Sequence, residues 1–152
     1  MIAIAFESPD QAEVVDLVAE LDAYQSALYP PESHHALDLT SVDAEQVLFV
    51  VARDETGLAV ACAGVVLHSE YGEIKRMYVR PANRGQSLAK RMLGMLELAA
   101  KKSNCHLLKL ESGPYQPEAL GLYAIFGYER CGPYGHYTND PLSVFMQKTL
   151  SD

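Results

Sequence analysis

The chain has few cysteines and few cationic residues, and both shortages exclude classes of protein. Its three cysteines, Cys62, Cys105 and Cys131, are an odd number, and no two have CxxC spacing. A disulfide framework is therefore excluded as the basis of the fold, and a reducing compartment is expected. Lys and Arg total 12 against 20 Asp and Glu, which gives a net charge of -8. This acidic balance argues against nucleic acid as the main partner.

Long apolar runs are also missing from the sequence. No stretch reaches the ~18 apolar residues that a membrane-spanning helix requires. The apolar residues 1–6 lack a basic flank and are followed by Glu7, so they predict a first strand rather than a signal peptide. We therefore expect a cytoplasmic protein with no membrane partner.

The 152 residues, 49% of them hydrophobic, predict a single domain spanning residues 1–152 with a substantial core. Apolar periodicity and turn residues predict a mixed-sheet α/β domain. The predicted helices cover residues 10–24, 87–101 and 117–126, with a short helix or a loop at 34–39. The predicted strands cover residues 1–7, 46–53, 58–68, 73–79, 107–110, 128–131 and 142–149.

The segment 73–93 predicts a strand, a short polar loop and then a helix. Cationic residues concentrate there in an otherwise acidic chain: Lys75, Arg76, Arg80, Arg84, Lys90 and Arg91. The first N–H groups of a helix have no partner within it, and the helix dipole adds partial positive charge. The segment therefore predicts a site for a phosphate or pyrophosphate. The alternative is an ordinary helix start with a solvated basic face.

Residues 84–89, Arg-Gly-Gln-Ser-Leu-Ala, match a signature of Arg or Gln, two variable residues, Gly, one variable residue, and Gly or Ala. Ser87 stands where that signature has its first Gly. Residues 79–81, Val-Arg-Pro, and the block 116–128 complete the pattern, with Gln116 in place of the usual Asn and Tyr128 in place of Phe. On these motifs the chain resembles the GCN5-related N-acetyltransferase (GNAT) family. Segments 29–39, 72–77 and 140–146 are similar to a bacterial subgroup of small acetyltransferases.

The resemblance implies a mostly antiparallel sheet with a splayed centre, flanked by about four helices. It also implies acetyl-coenzyme A as co-substrate, without a metal. The diphosphate would lie on the main chain of Arg84, Gly85, Gln86, Ser87, Leu88 and Ala89, and the pantetheine arm along Met77, Tyr78 and Val79. Gln116 is assigned to the same cofactor site.

The resemblance also implies two catalytic residues. Glu73 would be the base, directly or through water, because many family members carry a glutamate there; an ion pair with Lys75 is the alternative. Tyr123 would be the acid that protonates the leaving thiolate, whereas a tyrosine packed on the core with a solvated hydroxyl is the alternative. Cys62 and Cys105 are predicted to be buried as small hydrophobic residues.

The acceptor is harder to predict from the sequence. In the related fold, loops near the first helices cover the acceptor side, which makes Ser33, His34, His35, Tyr115, Tyr134 and His136 candidates for acceptor binding. Alternatively, the two histidines are polar residues of a surface loop that bind nothing. We expect a small-molecule amine as acceptor. A protein or peptide amine, another acyl donor, and a coenzyme A-binding sensor with little catalysis remain alternatives, and a homodimer is possible.

Overall fold

The computed structural model describes residues 1–33 and 38–151. Its strands are β1 (Ala3–Phe6), β2 (Val47–Arg53), β3 (Ala59–Leu67), β4 (Gly72–Val79), β5 (Leu107–Ser112), β6 (Glu129–Cys131) and β7 (Val144–Thr149). The α-helices are α1 (Ala12–Leu28), α2 (Leu88–Lys102) and α3 (Pro117–Ile125). Short 3-10 turns lie at Pro31–Ser33, Leu39–Ser41, Ala44–Gln46 and Pro81–Asn83.

The seven strands form one sheet in the order β1-β2-β3-β4-β5-β7-β6. Every neighbouring pair is antiparallel except β4 and β5, which are parallel. The predicted mixed, mostly antiparallel α/β fold is thus confirmed. The described ranges hold three α-helices where about four were predicted. Most of the segment predicted as a short helix or a loop, 34–39, lies outside those ranges.

The sheet opens in its middle, between β4 and β5. These strands pair only at their starts, through Gly72 with Leu108 and Glu73 with Lys109. A Cβ at Gly72 would lie 2.8 Å from a Leu108 methyl, so the absence of a side chain permits this close approach. Farther along, the pairing of β4 with β3 shifts by one residue, and Arg76 takes a left-handed φ of 59°. Such a bulge bends a strand, and the predicted splayed centre is present here.

The two faces of the sheet are covered by different helices. On one face, α2 buries Leu88, Met92, Leu93 and Leu96, which are the apolar positions that its sequence presents at helical spacing. On the other face, α1 buries Val14, Leu17 and Leu21 against a set that includes Cys62. Burial raises the pKa of Cys62 to about 12, and Cys105 is only half-buried. In the described ranges, no helix combines the length and apolar character that crossing a membrane requires.

Candidate active site

A cavity of about 600 Å³ lies where β4 and β5 diverge. One wall is the second half of β4 together with the loop leading into α2. The opposite wall combines the end of β5, the start of α3 and the end of α1. A cavity of this size suits a small ligand or part of a larger one. The splay of β4 and β5 therefore creates a concave site.

The loop that enters α2 has an unusual backbone. Gly85 has a φ of 83°, and Ser87 has a φ of 60° and a ψ of 23°, so both residues are left-handed. Ser87 immediately precedes the helix, but its side chain makes no capping hydrogen bond. The left-handed backbone explains why glycine suits position 87 and why Ser87 is strained there. The first N–H groups of α2 remain available for an anion.

The cationic side chain of Arg84 holds this loop against β4. Its Nε donates a hydrogen bond of 3.1 Å to the carbonyl oxygen of Val79, at the end of the strand. A Cβ added at Gly85 would meet no atom within 4 Å, so the space in front of the loop is open. Beyond Glu73, β5 pairs with no further residue of β4 in the described ranges. The edge of β4 beyond Glu73 can therefore form hydrogen bonds with an extended ligand.

Tyr123 lies on the cavity wall, deep in the site. It is 6% exposed, and its ring meets that of Tyr128 edge to face, with the ring centres 5.7 Å apart. Burial raises the pKa of Tyr123 well above the usual tyrosine range. The hydroxyl is therefore protonated at neutral pH and can act as a hydrogen-bond or proton donor.

Glu73 is only 4% exposed, and the residues that line the cavity do not include it. Its Oε2 accepts hydrogen bonds from the hydroxyls of Tyr137 at 2.5 Å and Tyr134 at 3.0 Å. The Nζ of Lys75 lies 3.3 Å from the same oxygen and donates to the Tyr137 hydroxyl at 2.6 Å. The ion pair considered as an alternative for Glu73 is therefore present. Lys75, unlike Glu73, does line the cavity.

A second carboxyl group, that of Glu111 at the end of β5, lines the cavity directly. Its pKa is raised to about 7, chiefly by burial, although Ser143 and Lys75 oppose the change. The sequence did not single out Glu111. The feature of the sequence that could have pointed to Glu111 is an acidic residue directly after the apolar run 107–110. That run forms the strand beside the one that begins the anion-binding segment.

The end of α1 and the turn that follows it close the remaining side. The Tyr29 hydroxyl accepts a hydrogen bond from the Tyr115 N–H at 3.1 Å and donates one to Oε1 of Gln116 at 3.2 Å. Its ring stacks on that of Tyr115 with the ring centres 5.3 Å apart. A side chain at Gly113 would overlap the Tyr29 hydroxyl. Ser33 donates to the Asp140 carboxylate at 2.8 Å, which joins the turn to the segment before β7.

The comparisons with known proteins agree with this geometry. A sequence model described as the acetyltransferase (GNAT) family matches residues 14–128. The chain belongs to this family. It is 43% identical over 151 residues to the "IAA acetyltransferase" of Azospirillum brasilense, and the match covers 98% of both chains.

Two solved structures extend the comparison within the GNAT family. A Klebsiella pneumoniae protein assigned as an acyl-CoA N-acyltransferase is 38% identical, with a TM-score of 0.90 and coverage of 99% of both chains. The PaiA N-acetyltransferase of Thermoplasma acidophilum, solved in complex with coenzyme A, has a TM-score of 0.74 at 16% identity and shares the fold. That match covers 98% of this chain and 99% of the other. The chain is therefore an acetyl-coenzyme A-dependent N-acetyltransferase.

Two features of the cavity match what the family's co-substrate requires. The open cradle at Gly85 and the unpaired edge of β4 are the features that a diphosphate and an extended pantetheine arm need. Nine of the ten predicted cofactor residues line the cavity: Met77, Tyr78, Val79, Arg84, Gly85, Ser87, Leu88, Ala89 and Gln116. Gln86 does not line it. The described ranges contain no group of three or more His, Cys, Asp or Glu residues that could hold a metal ion.

The structure separates the predicted acceptor residues. Ser33 lines the cavity, and Tyr115 stacks on Tyr29 at its edge. Tyr134 is not among the lining residues and instead binds Glu73, while His136 is exposed and stacks on Tyr137 with the ring centres 4.8 Å apart. His34 and His35 lie outside the described residues.

Proposed function

We propose that this acetyltransferase transfers the acetyl group to the amine of a small, cationic molecule. The observation that carries this proposal is the pair of side-chain ties around the acceptor end of the cavity. Tyr29 joins the end of α1 to the start of α3, and Ser33 joins the next turn to the segment before β7. These hydrogen bonds border the cavity on this side and favour a small acceptor over an extended peptide.

Charge favours a cationic acceptor. The carboxyl groups of Glu73, Glu111 and Asp140 lie around this end of the site, together with the ammonium group of Lys75. The whole chain also carries a net charge of -8. An ammonium ion is attracted by such a field, whereas a carboxylate is repelled. The cytoplasmic location predicted from the unpaired cysteines remains part of this proposal.

The two walls of the cavity have different roles in the proposed reaction. Acetyl-coenzyme A supplies the acetyl group as a thioester when bound. The loop at 84–89 and the edge of β4 hold the donor, and Tyr123 is positioned to protonate the sulfur that leaves. An alkyl amine is mostly protonated near neutral pH, so a base must take a proton before the nitrogen can attack.

Tyr123→Phe is expected to lower kcat about 10-fold or more and to change the KM for acetyl-coenzyme A less than threefold. The phenyl ring keeps the packing against Tyr128, and only the hydroxyl that acts in the transition state is lost. Steady-state kinetics with saturating amine measures both constants. A large rise in KM with an unchanged kcat would make Tyr123 a binding residue instead.

The acceptor class is tested with the purified protein, acetyl-coenzyme A and two sets of amines, followed by mass spectrometry of the products. One set contains small diamines and monoamines, and the other contains peptides with free N-terminal and lysine amines. Acetylation of small amines with a kcat/KM at least about 100-fold above that for the peptides is expected if the hydrogen bonds of Tyr29 and Ser33 restrict the acceptor space as proposed. Efficient acetylation of peptides alone would overturn the proposal.

A further inference from the structure

We propose that Glu111, and not Glu73, accepts the proton from the amine, and that the cluster formed by Glu73, Lys75 and Tyr137 adjusts its proton affinity. This inference rests on the acetyl transfer to an amine proposed above. It assigns the base to the opposite strand of the splay from the one that the sequence indicated. Glu73 becomes a positioning residue.

Glu111 is more accessible from the cavity than Glu73. Glu111 lies on the cavity wall beside Ser112 and Gly113, at the point where β5 has separated from β4. Glu73 instead lies beneath Tyr134 and Tyr137, with both hydroxyls on the same carboxylate oxygen. The other oxygen, Oε1, lies 3.9 Å from Nε2 of His68, so both oxygens of Glu73 face polar side chains.

Charged and polar side chains surround Glu111 from three sides of the site. They are Lys75 and Glu73 on β4, Tyr134, Tyr137, Asp140 and Ser143 between β6 and β7, and Tyr29 after α1. Burial, Glu73 and Asp140 raise the pKa of Glu111, whereas Ser143 and Lys75 lower it; the result is about 7. A base with a pKa near the working pH is half ionised and still has substantial proton affinity.

The way in which Lys75 is held also supports the assignment. Its ammonium group donates to Tyr137 and pairs with Glu73, while the side chain lines the same cavity as Glu111. Glu73 and Tyr137 thereby fix a positive charge near the proposed base. The ion pair predicted as the alternative for Glu73 thus gains a function, because it sets the charge that Glu111 experiences.

In the proposed step the ammonium group gives one proton to the ionised carboxylate of Glu111, and the freed nitrogen forms a bond to the acetyl carbon. The bond from that carbon to sulfur breaks, and the thiolate takes a proton from Tyr123. The second proton of the nitrogen passes to the Tyr123 phenolate, which restores the hydroxyl, and Glu111 releases its proton to water.

The test is the pH dependence of kcat/KM for wild type and three variants, with a small amine that the wild type acetylates. Activity of the wild type should rise with pH through about 7, because Glu111 must be ionised. Glu111→Gln should lose at least about 100-fold in kcat and lack this rise. Glu129→Gln, at an exposed position on β6, is the matched control and should behave as wild type.

The other two variants should shift the pH at which kcat/KM rises, and the two shifts should be in opposite directions. Glu73→Gln removes a negative charge that raises the pKa of Glu111, so the rise should move to lower pH. Lys75→Met removes a positive charge that lowers it, so the rise should move to higher pH. A merely structural role for the cluster would not give opposite shifts. If Glu111→Gln keeps the rise and most of the activity, the assignment is wrong. It is also wrong if the rise is lost in Glu73→Gln alone.

A measurement without substrate separates this inference from the proposed function. Carbon-13 NMR of the protein with labelled glutamate carboxyl groups should show one carboxyl that titrates near pH 7 and is missing in Glu111→Gln. If Glu111 instead titrates in the ordinary glutamate range near 4.3, the inference fails even when acetylation of amines is observed. If it titrates near 7 but no small amine is acetylated, the proposed function fails, and with it the assigned role as base.

Discussion

Gly85→Glu is expected to raise the Kd for coenzyme A about 100-fold, which corresponds to a loss of roughly 2.7 kcal/mol in binding free energy. Gly85 has a φ of 83°, a conformation that costs a non-glycine residue about 1–2 kcal/mol. The space in front of its Cα is empty of protein atoms, so a side chain there would occupy the volume of the diphosphate. The carboxylate would also repel the phosphates.

Gly94→Glu is the matched control for this experiment. It makes the same substitution and the same change in net charge, but Gly94 lies on the exposed side of α2, where an added Cβ also meets no atom within 4 Å. Isothermal titration calorimetry with coenzyme A should give a Kd within about twofold of wild type for Gly94→Glu. Equal Kd values for the two variants would remove residues 84–89 from the binding site.

Glu111→Gln is expected to stabilise the protein at alkaline pH while it inactivates the enzyme. The pKa of Glu111 is about 7 in the folded protein and 4.5 in the unfolded chain. The stability that this carboxyl group contributes is complete below the unfolded pKa and is lost as pH rises through the folded pKa. Between pH 5 and pH 8.5 the wild type should therefore lose roughly 2–3 kcal/mol that the neutral amide of the variant does not lose.

Urea denaturation at both pH values measures this difference. The free energies of unfolding of wild type and Glu111→Gln should lie close together at pH 5, and the variant should be the more stable protein at pH 8.5. Glu129→Gln controls for the change in net charge, because its side chain is exposed. A gap that does not change with pH would show that Glu111 ionises freely. A functional carboxylate retained against stability is a common feature of active sites.

The sequence predicted α2 well because its buried face follows a local pattern. The apolar positions of α2, Leu88, Met92 and Leu96, follow helical spacing and are all buried. The backbone at Ser87 could not be predicted, since serine before a helix suggests a capping side chain. Only the structure shows a left-handed residue whose hydroxyl caps nothing.

The proton-transfer side was harder to predict because its environment is assembled from distant segments. Glu73 is covered by tyrosines 61 and 64 positions later in the chain, so its burial has no local signal. The pKa of Glu111 is raised by burial and by Glu73 and Asp140, which lie on other segments. A carboxyl group at a strand end gives no sign of these neighbours in the sequence. Assigning a base by its position in a motif therefore selected the more buried of two glutamates.

A crystal structure with coenzyme A and the acetylated amine bound is the most direct test of the proposed mechanism. We expect the diphosphate on the main chain of residues 84–89 and the pantetheine arm in the gap between β4 and β5. The sulfur should lie against the Tyr123 hydroxyl, and the amide nitrogen of the product should face Glu111. A product nitrogen that faces Glu73, or a sulfur remote from Tyr123, would contradict it.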